Sequence, residues 1–148
     1  MLTYFEDYHA GDEHITPTRT ITAADIAAFA TLTGDHHPLH LDSTFAQTTL
    51  FGERIAHGLF GLALVNGLAY RTIIDETFVV AFLGLNWTFS GPLRIGDSVQ
   101  ARVTIAECRA SRHPTRGIVR EHILLTNQHG ETIQHGDFTF LVQRQPIA

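Results

Sequence analysis

The chain concentrates its chemically capable residues in one string, Gly34-Asp35-His36-His37-Pro38-Leu39-His40, with His57-Gly58 downstream. Asp35 and His40 stand five positions apart, and Pro38 is expected to stop a helix from running through the segment. A compact turn can then bring a carboxylate and an imidazole onto one small volume. Two such groups facing one water can remove a proton from it and return a proton to a neighbouring carbon. Adding water across a carbon–carbon double bond asks for those two events and no cofactor. In this reading Asp35 is the general base toward water, and His40 shares the water and relays a proton to carbon, though the sequence leaves open which of the two carries which proton. Gly58 supplies a third part. It is expected to open a helix, where backbone N–H groups lack helical partners and the dipole is positive. A carbonyl oxygen held there is polarised, an interaction worth about 2.7–4 kcal/mol in measured oxyanion holes, and glycine permits the close approach.

The same string has plainer readings. A Gly-Asp pair after a helix is a common C-cap and turn. His36, His37 and His40 can form a surface cluster, or a metal site completed by His57. His-His-Pro-x-His lacks the i, i+4 spacing by which a helix offers two histidines to zinc, and no carboxylate spacing completes it, so no metal is expected. His36 is expected to face solvent.

Composition removes whole classes of chemistry. The ten basic residues are all arginine, which excludes Schiff-base lysines, pyridoxal-phosphate lysines and a P-loop. There is no Gly-x-Ser-x-Gly elbow. The single Cys108 forms no internal disulfide, and with no secretory signal at the start the expected location is cytoplasmic. A formal net charge of −5 argues against a nucleic-acid partner. The longest apolar stretch, Leu59 to Ile74, is broken by Asn66, Tyr70 and Arg71, so no membrane span is expected.

The elements that position these residues follow from periodicity. Residues 12–21 read as an edge strand that must accommodate Pro17. Thr22 is an N-cap with Asp25 in its first turn, Ile26, Phe29, Ala30 and Thr33 keep the helical period, and Gly34 stops the helix. Asp42 caps a further short helix. Gly58 to Ile74 is apolar nearly all round, which predicts a helix buried on every side, with Gly61, Ala63 and Gly67 allowing close neighbours. Leu83, Leu85, Trp87 and Phe89 alternate with smaller or polar residues, and Val99, Ala101, Val103 and Ile105 alternate cleanly. Further strands are expected at Gly117–Thr126 and from the Asn127–Gly130 turn to Gln143. A buried helix followed by long antiparallel strands predicts one α+β domain over 1–148, a sheet curled around the helix in the hot-dog manner. Its open edge predicts a homodimer.

The motif Gly34-Asp35-x-x-Pro38-Leu39-His40-x-Asp42, followed by Ala56-His57-Gly58, resembles that of the MaoC-like, (R)-specific enoyl-CoA hydratases. The likeness continues through the apolar helix, Phe89-x-x-Pro92-x-x-x-Gly96-Asp97 and Asn127-Gln128-x-Gly130, nearly the whole chain. The resemblance implies a single MaoC-like hot-dog domain, dimeric, with substrate tunnels near the subunit contact. It implies reversible hydration of a trans-2-enoyl-CoA to a 3-hydroxyacyl-CoA, with Asp35 and His40 holding the water. Gly58 would offer its N–H to the thioester carbonyl, with His57 beside it in the substrate-binding set. No metal or organic cofactor is implied; coenzyme A is the substrate's carrier. Two positions depart from the family. His37 replaces an asparagine, and Asn66 stands where a small hydroxyl residue is usual; Asn66 is kept as a substrate-site residue able to hydrogen-bond Asp35.

Two other functions remain open. A hot-dog acyl-CoA thioesterase would direct water at the carbonyl, but such enzymes usually carry a lone acid in the central helix, and 57–74 has none. A catalytically silent acyl-binding subunit would have no chemical reason to hold both Asp35 and His40.

Overall fold

The computed structural model describes residues 1–73 and 75–146. The first helix, α1 (Ala23–Thr33), opens as its sequence dictates. The Thr22 hydroxyl accepts from the Asp25 N–H at 3.1 Å, and the Asp25 carboxylate accepts from the Thr22 N–H at 2.9 Å, a reciprocal cap. It closes on Gly34, whose φ of +78° lies in the left-handed region that glycine enters without strain. Pro38 does not act only as a breaker. It is the first residue of a one-turn helix, α2 (Pro38–Leu41), a position where its missing N–H costs nothing. Asp42 then caps α3 (Ser43–Gln47), accepting from the N–H groups of Thr44 and Phe45.

The central helix α4 spans Gly58–Thr72. Ile74, which the periodicity assigns to it, lies outside the described residues. The helix is buried along Gly61, Val65 and Ala69, but Leu59, Ala63 and Gly67 are exposed. The expectation of burial on every side is therefore corrected: within one chain the sheet covers one side of α4 and leaves an apolar face open.

The edge segment is split by Pro17 into β1 (Glu13–Ile15) and β2 (Arg19–Thr20), both antiparallel to the same long strand. The long strands are β3 (Val79–Phe89), β4 (Ser98–Ala110), β5 (Arg116–Thr126) and β6 (Thr132–Gln143), in the order β1-β4-β5-β6-β3 with β2 also on β4. Val99, Ala101, Val103 and Ile105 all point into the core as their alternation predicts. On β3 the alternation fails. Register shifts at Val79/Ala81 and Phe82/Gly84 turn the strand, and Phe82, Leu83, Leu85 and Phe89 are each about half exposed. This antiparallel sheet around one helix is an α+β hot-dog. No helix among the described residues is long and apolar enough to cross a membrane.

One core residue breaks the apolar rule. Glu121 on β5 is fully buried, and neither carboxylate oxygen has a partner. Burial raises its pKa from 4.5 to about 8. Between those values the folded chain keeps a proton that the unfolded chain has released. Its contribution to stability is thus greatest below pH 4.5 and is lost as pH rises toward about 8. Chemical denaturation across that range is expected to show stability falling by up to about 1.4 kcal/mol per pH unit. Glu121→Gln should remove the decline; an unchanged pH dependence in that variant contradicts the assignment.

Candidate active site

Three segments meet at the N-terminus of α4. Gly34 turns the chain out of α1 so that Asp35 faces the start of α4, and the Asp35 carboxylate accepts from the His37 N–H at 3.2 Å. His37 in turn accepts from the Leu39 N–H on its Nδ1 at 3.1 Å, capping α2. This accounts for the departure at that position: the imidazole does there what an asparagine side chain does at an N-cap. His36 is exposed, as expected.

His40 is set by α2. Its Nδ1–H donates to the Ile55 carbonyl at 2.8 Å, and its own carbonyl accepts from Arg54 Nε at 2.7 Å. With Nδ1 donating, the neutral ring keeps its lone pair on Nε2. Burial holds the His40 pKa below 6.5, helped by the neighbouring His57 and opposed by the Ile55 bond and the Asp35 charge. His57 lies behind it, buried, with ring centroids 3.8 Å apart and planes inclined by 28°. Its Nε2–H donates to the backbone carbonyl of Asp35 at 2.9 Å and sits 4.0 Å from the Asp35 carboxylate. His57 thus ties the Asp35 loop to α4, and His40 is stacked on the tie.

Phe29, Thr33, Asp35, His40, Gly58 and Leu59 wall a cavity of about 130 Å³ together with His57. Gly58 also borders a wider cleft of about 380 Å³, lined by Phe51, Ile55, Phe89, Pro92 and Gln134 among others. The space in front of the Asp35–His40 pair and a wider, mostly apolar cleft therefore meet at Gly58, the first residue of α4. A Cβ on Gly58 would lie 3.0 Å from the Phe89 ring, so a side chain there would press on the wall of the cleft.

The predicted residues Asp35, His40, His57 and Gly58 come together; Asn66 does not join them. It lines a separate apolar groove with Leu59, Leu62, Phe82 and Leu85, eight residues along α4 from Gly58, about 12 Å by helical rise. It is not among the residues that wall the cavity at Asp35. Asp35, His40 and His57 are the one group of metal-capable side chains among the described residues, with ligand atoms within 4.8 Å of one another. His40 Nδ1 and His57 Nε2 are each already engaged with a backbone carbonyl, those of Ile55 and Asp35. The arrangement is suited to holding a water or a polarised carbonyl. Spacing gave no sign of the Ile55 carbonyl, which selects the His40 tautomer, or of Gln134, one of several polar residues in its strand and set against the helix glycine Gly61.

An acid–imidazole pair therefore lies beside the free N-terminus of the central helix of a hot-dog. The chain belongs to the MaoC-like domain family, whose model matches residues 8–127. It is 38% identical over 115 residues to a 3-hydroxybutyryl-CoA dehydratase of Methylorubrum extorquens, covering 78% of this chain and 71% of that protein. It is 41% identical over 102 residues to the protein MaoC of Klebsiella aerogenes; the match takes in 68% of this chain but 30% of that longer protein. A crystal structure of a MaoC-like dehydratase from Rhodospirillum rubrum superposes with a TM-score of 0.85 at 28% identity, covering 97% of this chain and 99% of that one.

The charge coupling at the site is directly measurable. Because the Asp35 charge raises the His40 pKa and burial lowers it, Asp35→Asn is expected to push that pKa further down. An NMR titration of the His40 ring checks this. A pKa that does not fall would mean that the carboxylate does not face the imidazole.

Proposed function

We propose that this chain is a hydro-lyase that interconverts a trans-2-enoyl-CoA and the corresponding 3-hydroxyacyl-CoA. The observation that carries the reading is the convergence of Asp35, His40 and Gly58 on one cavity. A thioester carbonyl received by the Gly58 N–H places C2 and C3 of the acyl chain toward the Asp35–His40 pair. Water held between the carboxylate and His40 Nε2 gives up a proton as its oxygen bonds to C3. Charge moves onto the thioester oxygen, where α4's first N–H groups meet it. A proton then passes to C2, so one water is added with nothing else consumed.

The Nδ1–H bond to Ile55 supports His40 Nε2 as the group that accepts the water's proton and hands one to C2 as imidazolium. Asp35 orients the water and stabilises that imidazolium. The lowered His40 pKa keeps the ring neutral and ready to accept a proton near neutrality. The chemistry calls for no metal or organic cofactor, with coenzyme A entering as part of the substrate. The proposal places the enzyme in the cytoplasm, where a lone cysteine stays reduced.

It also makes the enzyme a homodimer. The exposed apolar face of α4 continues into the exposed side chains of the edge strand β3. A second copy supplies an identical face, with β3 edges able to pair and Leu59, Phe82 and Leu85 removed from water. Leu85→Arg is expected to weaken self-association in sedimentation; a variant that sediments as the parent does would place the contact elsewhere.

The activity test is incubation with crotonyl-CoA, following loss of the enoyl-thioester absorbance and release of free thiol together. The expected result is loss of absorbance with the thioester intact. Asp35→Asn is expected to lower the rate by about 10²–10⁴-fold while the fold is kept. Thiol release without hydration would favour the thioesterase reading, and near-normal hydration by the variant would remove Asp35 from the mechanism.

A further inference from the structure

Gln134, near the start of β6, is buried and joins the sheet to the first turn of α4. Its Oε1 accepts from the Trp87 indole N–H at 3.0 Å, and its Nε2 donates to the Gly58 carbonyl at 3.1 Å. An indole N–H only donates, so the amide has one orientation: oxygen toward β3, nitrogen toward the helix. The helix is shaped to receive it. A Cβ on Gly61 would lie 2.4 Å from Gln134 Nε2 and 2.8 Å from its Oε1, so the amide occupies the space a side chain at position 61 would take.

Gly58 is the residue in α4 that most needs an outside hold. It opens the helix, so its N–H has no partner within the helix. Its backbone is the least restricted of any residue, and small rotations about φ and ψ swing that N–H off the cavity. A hydrogen bond to its own carbonyl, from a side chain pinned by an indole, removes that freedom. Both Gly58 and Gln134 border the wider cleft, so the hold acts at the wall where the substrate arrives.

We propose that Gln134 is a positioning residue for the reaction: it fixes the Gly58 peptide so that the first N–H groups of α4 meet the thioester oxygen. Trp87 acts one step back, fixing the amide. The role as a catalytic aid rests on the hydration reading above; the hold on Gly58 does not.

The test compares Gln134→Glu with Gln134→Met. Protonated glutamic acid can accept from Trp87 and donate to the Gly58 carbonyl as the amide does; ionised, it has no proton to donate. Gln134→Glu is expected to lose about 10²-fold in kcat on crotonyl-CoA at alkaline pH, with KM little changed, and to regain parental kcat as pH falls. Gln134→Met stays low at every pH. Rates are taken per folded enzyme, from thermal melts at each pH. A purely structural glutamine predicts a loss of folded protein with the parental pH profile of kcat, and that result overturns the proposal. In ¹⁵N-labelled protein the Gly58 amide cross-peak is expected to move in Gln134→Glu with the same pH midpoint; an unmoved peak overturns the proposal on its own. A parent chain inactive on crotonyl-CoA would sink the hydration reading, while a moving Gly58 peak would still uphold the hold on that peptide.

Discussion

The site depends on a contact between segments 22 residues apart, the His57 imidazole donating to the backbone carbonyl of Asp35. It fastens the loop after α1 to the start of α4, and the same ring provides the flat surface on which His40 stacks. Asp35 alone would be an exposed carboxylate on a turn. His40 alone, held to the Ile55 carbonyl through Nδ1, would still lack a wall for its ring. The buried His57 gives both a common reference, and it is itself held by Phe29, whose ring lies 5.0 Å away. The residue after it begins α4, so the ring that orders the acid–imidazole pair also sets where the helix's free N–H groups emerge.

The sheet serves this junction. Gln134 on β6, held by Trp87 on β3, reaches across to the first turn of α4, and Leu93 accepts the Ala56 N–H at 2.7 Å just before that turn. The chain leading into α4 is thereby hydrogen-bonded to the segment between β3 and β4 rather than left as a free loop. Gln134, Ala56 and Leu93 are themselves buried, and an unmade bond at a buried polar group costs about 1–3 kcal/mol, so the entry to α4 is among the more strongly specified parts of the fold.

Much of this was legible in the sequence. The Thr22 and Asp25 cap, the Gly34 stop, the β4 alternation and the nearness of Asp35 to His40 follow from local chemistry, because caps, turns and two-residue periods are decided by neighbours along the chain. What was not legible depends on partners far away. The α4 sequence is apolar all round, but whether each face meets a sheet, a cleft or a second chain is set by how far the sheet curls. The β3 alternation looked regular because its bulges are imposed by pairing with β6. Asn66 matched a family position by order along the helix, yet one chain brings it to the exposed groove. Glu121 shares the inward face of β5 with Val119, Ile123 and Leu125, so its place follows from the alternation, while its missing partner depends on what packs against it.

The central claim is that Asp35 and His40 direct water to C3 of an enoyl thioester held at Gly58. The most direct measurement is turnover of crotonyl-CoA in oxygen-18 water with the product analysed by mass spectrometry. The account predicts one heavy oxygen in the 3-hydroxyl group of an intact thioester. A heavy oxygen in the carboxylate of a released acid would contradict it, because water would then have been aimed at the carbonyl.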